Sequence, residues 1–211
     1  MSIPERCGRL LAYIRVCRSA IVTVLLRTHI RKWRRVAAAG PPTWDERNKI
    51  IARFIPAGSS VVDLGAGAQT LKSHLAAGCR YQPCDVVQSS PDVIFCDFNR
   101  GIYPELPAKF DYVVCSGVLE YVWKPSEFLG RVCALGSTLL LSYNPRMPGE
   151  PKLHRLAKNW VNHLDHRALE NMLNGLGLAW RLVNTRQPNE YLYSITRADQ
   201  VAVTNGSSER T

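Results

Sequence analysis

An α/β fold, with a seven-stranded and mostly parallel sheet carrying helices on both faces, is what this sequence of 211 residues predicts. Three observations predict it. From Ser60 onward short β-branched runs alternate with helical stretches, the pattern of a chain whose crossover helices bury both sides of a sheet. The first such run, Val61-Val62-Asp63-Leu64, enters a turn that holds two glycines, Gly65 and Gly67. Hydrophobic residues make up 46% of the chain and charged residues 21%, a balance that fills a buried core at this length and excludes a disordered chain.

Residues 1–39 form an arm outside that alternation. Leu10, Ile14, Cys17, Ile21, Val24 and Leu25 recur at helical spacing, while Arg15, Arg18, Arg27 and Arg31 fall largely elsewhere, so the spacing predicts a basic amphipathic helix. Its uninterrupted apolar part, Ala20 to Leu26, is far short of the ~20 residues that span a bilayer. Nine Lys or Arg against the single acid Glu5 give the arm +8 of the chain's +10, so the rest is nearly neutral. Three uses of such an arm stay open: docking on the body or on a second copy as a homodimer, peripheral contact with an anionic membrane, and a cleaved targeting segment or nucleic-acid arm. Because its charge is segregated from the body, the arm is expected to serve association or localisation and to leave ligand binding to the body.

Gly40-Pro41-Pro42 is expected to break the arm helix, and the body spans residues 40–200. Thr43-Trp44-Asp45-Glu46 reads as a capping box that opens a helix ending just before Pro56. Strands are expected near residues 61–64, 80–84, 93–96, 112–115, 138–142, 179–183 and 191–195. Helices are expected over 69–77, closed by Gly78, and over 125–135, with Pro125 in the first turn. Another is expected over 166–174, with Asp165 as N-cap and Leu164 and Leu169 as a hydrophobic staple. Residues 201–211 read as a polar, disordered tail.

The seven cysteines are scattered and form no C-x-x-C pair, which argues against a disulfide framework or zinc site and for a reducing, cytoplasmic setting. Cys115, inside Val113-Val114-Cys115, reads as a small buried hydrophobe. His154, His163, Asp165 and His166 form a group with no second cluster beside it, and capping already explains Asp165, so no metal is expected.

The chemistry concentrates at the ends of the strands. Gly65 and Gly67 let the backbone approach a ligand closely, and Asp85, twenty residues beyond Gly65, is placed to accept from both hydroxyls of a ribose. A dinucleotide is disfavoured twice. Thr70 stands where G-x-G-x-x-G needs its last glycine, and Asp63 would set a carboxylate beside a pyrophosphate. A ligand bearing an ammonium and a sulfonium would instead gain from Asp63.

Arg47 to Arg197 resembles the class I methyltransferases that use S-adenosylmethionine, in particular their small-molecule branch, methyltransferase type 11. The resemblance rests on Val-Val-Asp-Leu-Gly-Ala-Gly at 61–67, on Asp85, on Cys96-Asp97-Phe98-Asn99, and on the run from Phe110 to Val122. It implies a Rossmann-like fold, S-adenosylmethionine as cofactor and a small-molecule acceptor, such as a hydroxyl of a sugar, lipid or secondary metabolite. It further implies that Asp63, Gly65 and Gly67 hold the methionine end, that Asp85 holds the ribose, that Asp97 and the Phe98 backbone meet the adenine, and that Ser116 lies beside the methionine moiety. Two departures stand out: Gln69 replaces a third glycine, and Tyr121 stands where related O-methyltransferases often carry histidine.

Structural alternatives accompany these assignments, with Asp97 as a strand-end cap, Gly65 and Gly67 as an empty turn, and Glu120 in a structural pair with an arginine. Glu120, Tyr121, Tyr143 and His163 are the candidate bases, since ligands bind at the carboxyl ends of parallel strands. A nucleic-acid or protein methyltransferase using the arm is a rival reading, but Cys-Ser-Gly-Val stands where an Asn-Pro-Pro-Tyr motif would be needed, so nucleic acid is disfavoured. A non-catalytic binding subunit is the rival from another class.

Overall fold

Seven strands form one sheet in the computed structural model, which describes residues 3–26, 28–186 and 190–198. They are β1 (Ser60–Leu64), β2 (Arg80–Asp85), β3 (Ile94–Phe95), β4 (Phe110–Ser116), β5 (Gly136–Tyr143), β6 (Leu178–Arg186) and β7 (Glu190–Arg197). Their order is β3-β2-β1-β4-β5-β7-β6. β1 to β5 are parallel, and β7 runs antiparallel between β5 and β6. All seven strands match the sequence expectation, β3 shortening to two residues that pair with Cys84 and Asp85. The order reverses between β1 and β4, so their carboxyl ends splay and open a crevice.

Alternation along the central strands fills two cores. Val62, Leu64, Val113, Cys115, Leu139 and Leu141 pack with Phe128, Leu129 and Val132 of α4 (Pro125–Val132) and with Leu169 and Leu173 of α6 (His166–Gly175). Val61, Val114 and Leu140 face the other way, onto Ile51 and Ala52 of α3 (Pro42–Ala52). The expected caps hold for α4, with Pro125 in its first turn, and for α6, where Asp165 accepts from the Ala168 amide at 2.8 Å. Cys84, Cys96, Cys115 and Cys133 are buried and free.

Two local expectations are corrected. α3 begins two residues early, with Pro42 in its first turn and Pro41 at the N-cap, so Thr43 is not the cap. It also ends at Ala52, before the predicted limit. The helix expected over 69–77 is only a 3-10 turn, Thr70–His74. Gln69 enters it in the left-handed region (φ 57°) and Leu75 leaves it extended, so helical geometry is lost at both ends.

The arm is two helices, α1 (Ile3–Leu25) and α2 (Ile30–Ala39), so it breaks before Gly40 as well as at it. Gly40 closes α2 in the left-handed region, its N–H reaching the Val36 carbonyl at 3.2 Å. α1 docks on α5 (Lys152–Ala157) through small residues, not through its apolar stripe. Ser19 donates to the Ala157 carbonyl at 2.8 Å, Thr23 donates to the Leu156 carbonyl at 2.9 Å, and Ala20 is buried between them in sequence. The tail expected over 201–211 lies outside the described residues.

Candidate cofactor site

A crevice open to solvent lies over the carboxyl ends of β1 and β4. Asp63, Gly65, Gly67, Asp85, Asp97, Phe98 and Ser116 all line it, so the structure gathers every residue assigned to the cofactor from sequence. Gly65 (φ 75°) and Gly67 (φ 53°) both require the left-handed region. A Cβ on Gly65 would collide with Val118, and one on Gly67 would come within 2.9 Å of the Trp44 ring. Gln69 shares the positive φ but turns away, its amide donating to the Ser90 hydroxyl at 2.9 Å.

Three carboxylates face this space. Asp63 is buried and accepts from the Tyr81 hydroxyl at 2.7 Å. Burial raises its pKa to about 7, with the nearby Asp85 adding to the rise and Tyr81 and Arg47 opposing it. Asp85 accepts from the Gly67 amide at 2.9 Å and the Val87 amide at 2.7 Å, which fixes the glycine turn against β2. Burial raises its pKa as well, against those amide bonds. Each carboxylate oxygen has two lone pairs, so Asp85 keeps acceptor capacity for hydroxyl donors. Asp97 caps the 3-10 turn Phe98–Arg100 through the Asn99 amide, as its structural alternative expected, and lines the crevice as well. Its Oδ2 is buried without a hydrogen bond, the Arg100 guanidinium standing 3.5 Å off as an ion pair only.

Several lining residues had no motif to announce them. Arg47 and Asn48, on α3, reach across to Ser116, whose hydroxyl accepts from Arg47 Nε at 2.6 Å and donates to Asn48 Oδ1 at 2.7 Å. Arg47 also donates to Glu190 at 2.9 Å and to the Ser116 carbonyl at 3.2 Å. These contacts use three of its five N–H donors and leave one on each terminal nitrogen. Positive φ at Gly117 is the nearest thing to a sequence signal, since a Cβ there would lie 2.7 Å from Arg47 Nη1.

The arm also enters the site, against the expectation that it would stay apart. Thr28 donates to Asp97 Oδ1 at 2.9 Å, Trp33 packs edge-on against Tyr121 with ring centroids 4.5 Å apart, and Ala37 completes the wall. Its charge is segregated in sequence, but neutral Thr28, Trp33 and Ala37 carry the contact.

Of the four candidate bases only Tyr121 lines the crevice. Burial pushes its phenol up to about 12, and its oxygen accepts from the Trp160 indole at 3.2 Å. Glu120 is buried elsewhere, its Oε1 accepting from the Asn144 amide and side chain at 2.9 and 2.7 Å. Its partner is thus Asn144 and not an arginine, and it ties the end of β4 to the end of β5. Tyr143, fully buried, donates to Asn162 and Leu164. His163 lies outside the crevice, and burial, aided by Arg155, Lys152 and Arg146, lowers its pKa and keeps it neutral.

No family model matches the chain. Over 111 residues it is 31% identical to the bifunctional methionine biosynthesis protein MetXA/MetW of Rhodopirellula baltica, covering 44% of this chain and 18% of that protein. It therefore spans less than a fifth of that relative. The pyocyanin biosynthetic protein PhzM superposes with a TM-score of 0.54 at 17% identity, over 71% of this chain and 54% of the other. CalO1, a methyltransferase in calicheamicin biosynthesis solved in its SAH-bound form, gives 0.54 at 18% identity, over 73% and 54%. A chain from the complex of the Haloferax volcanii Trm112 methyltransferase activator gives 0.55 at 15% identity, over 78% and 97%. The fold is that of the class I methyltransferases. In this methyltransferase fold the crevice sits at the switch point of the sheet, and the likeness at these identities is one of fold.

Proposed function

We propose that the chain binds S-adenosylmethionine in this crevice and transfers its methyl group to a small-molecule acceptor. One observation carries the reading: Asp63 and Arg47 bring opposite charges to the same end of a crevice whose floor is the Gly65–Gly67 turn. That end matches an amino acid, with its ammonium at Asp63 and its carboxylate at the two spare donors of Arg47. Further along, Asp85 meets the ribose hydroxyls, and the unbonded Asp97 Oδ2 accepts from the exocyclic amine of adenine, a buried acceptor that otherwise forfeits a hydrogen bond. The donors and acceptors of these residues support the reading, because they complement the charged and polar groups of the cofactor.

The cofactor supplies an activated methyl group, and the electron pair of the broken C–S bond stays on sulfur. The chain's part is alignment. Holding both reactants in line removes most of the entropic barrier, and a base is needed only when the acceptor must lose a proton. Tyr121, with its phenol pushed up to about 12, does not serve as that base at neutral pH. Trp33, Trp44 and Tyr121 give the crevice aromatic walls, which favour an acceptor with an apolar or aromatic body.

The test is product formation from methyl-labelled S-adenosylmethionine, offered with a panel of hydroxylated small molecules, transfer RNA and total protein. Label appearing in a small molecule supports the reading. Label confined to RNA or protein, or no binding of the labelled compound, overturns it.

A further inference from the structure

The arm shows its apolar stripe to solvent. Leu10, Ile14, Ile21 and Leu25 are 57%, 44%, 57% and 73% exposed, and Leu11 and Val24 beside them are 54% exposed. At 1.5 Å per residue the stripe runs for roughly 22 Å along α1. The orientation is imposed by the fold, because Ser19, Ala20 and Thr23 hold the opposite face against α5 and Asn159 donates to Thr23 at 2.6 Å. Large apolar patches on a soluble surface mark interaction sites.

Charge indicates what covers it. Arg15 and Arg18 are exposed on α1, Arg31, Arg34 and Arg35 are exposed on α2, and the arm as a whole holds nine cations against Glu5. Two copies meeting along this stripe would bring like charges together, and a nucleic acid would leave the aliphatic side chains in water. An anionic lipid surface satisfies both features, taking the side chains into the acyl boundary and the cations among the headgroups. No helix among the described residues is long and apolar enough to cross a membrane, so such contact is in the plane of the surface.

We infer that α1 is a lipid-docking helix whose exposed stripe inserts into the surface of an anionic membrane. This stands apart from the cofactor reading.

The experiment is co-sedimentation of the full chain with phosphatidylcholine vesicles and with phosphatidylcholine vesicles carrying phosphatidylserine, together with sedimentation velocity. Wild type is expected to bind the anionic vesicles, to leave the neutral ones free, and to dissociate as salt rises. Ile14→Gln/Ile21→Gln/Leu25→Gln replaces only exposed side chains, so its unfolding midpoint stays near wild type while vesicle partitioning falls at least tenfold. Arg15→Glu/Arg18→Glu lowers partitioning onto anionic vesicles by a similar factor. Equal binding to neutral vesicles, no binding to either, or unaltered binding by both variants overturns the inference. A wild-type dimer that the Gln variant splits, without vesicle binding, overturns it too, by assigning the stripe to a second copy.

Discussion

Asp63 carries opposite consequences for stability and for binding, and Asp63→Asn separates them. Its pKa rises from 3.8 to about 7, chiefly through burial, a difference of about three units. At 1.36 kcal/mol per unit the ionised group costs the ligand-free protein roughly 4 kcal/mol. Because the folded-state value is the higher one, the unfolded chain releases its proton first. The contribution of Asp63 to stability is therefore greatest below pH 3.8, declines as pH rises, and settles at its lower level above about 7. Asn keeps the shape and the acceptor for Tyr81 and removes the ionisation. Urea unfolding without ligand is expected to show Asp63→Asn more stable than wild type by ~2–4 kcal/mol at pH 7.5, with the gap closing toward pH 4. Binding goes the other way, since an ammonium ligand pairs with the ionised form. Between pH 7 and pH 5 the ionised fraction falls from about a half to about one-hundredth, so calorimetry should show wild-type affinity for S-adenosylmethionine dropping by up to roughly fifty-fold. Asp63→Asn should bind weakly with a shallower pH dependence. A variant that is less stable than wild type at pH 7.5, or that binds as tightly, would refute this account of Asp63.

Three other outcomes are expected. Gly67→Val places a side chain against Trp44 in a left-handed backbone position, so cofactor binding should be abolished while circular dichroism shows the body folded. Deleting residues 1–39 removes Thr28, Trp33 and Ala37 from the crevice and should weaken S-adenosylmethionine binding at least tenfold. Trp33→Ala, losing an aromatic pair worth ~0.5–1.5 kcal/mol, should weaken it two- to tenfold, and unchanged affinity in both would show the arm to be a bystander. Tyr121→Phe should leave turnover with the eventual acceptor within about threefold of wild type, whereas a loss of 10² or more would make that phenol a proton carrier after all.

The sheet and the floor of the site were legible because they depend on local signals. Short apolar runs mark β1 and β4 through their valines and β5 through its leucines, and Asp63, the paired glycines and Asp85 sit toward the strand ends where turn chemistry is written in the sequence itself. Arg47, Asn48, Thr28 and Trp33 were not legible. Their side chains reach Ser116, Asp97 or Tyr121 from α3, from α2 and from the link between α1 and α2, some 70 to 90 residues distant in sequence, and only the tertiary fold brings them there. Gln69 misled in another way, since the left-handed residue that opens the expected helix is followed only by a 3-10 turn, with no Gly or Pro to announce the change. For α1 the spacing identified which residues share a face but not which face is buried. Small, hydrogen-bonding Ser19 and Thr23 took the inner side, and the aliphatic stripe stayed outside. Glu120 and Tyr143 stand at strand ends as a base would, yet their hydrogen bonds go to loop backbone and Asn side chains.

Titration calorimetry on the full chain tests the cofactor site most directly, with S-adenosylmethionine, S-adenosylhomocysteine and NAD offered in turn to wild type and to Asp85→Ala. One mole of either adenosyl ligand should bind per chain, NAD should give no comparable heat, and Asp85→Ala should lose ~1.5–3 kcal/mol of binding, the cost of a hydrogen bond to a charged group. Absent heat with both adenosyl ligands, tighter binding of NAD, or an Asp85→Ala variant that binds like wild type would contradict the assignment of this crevice.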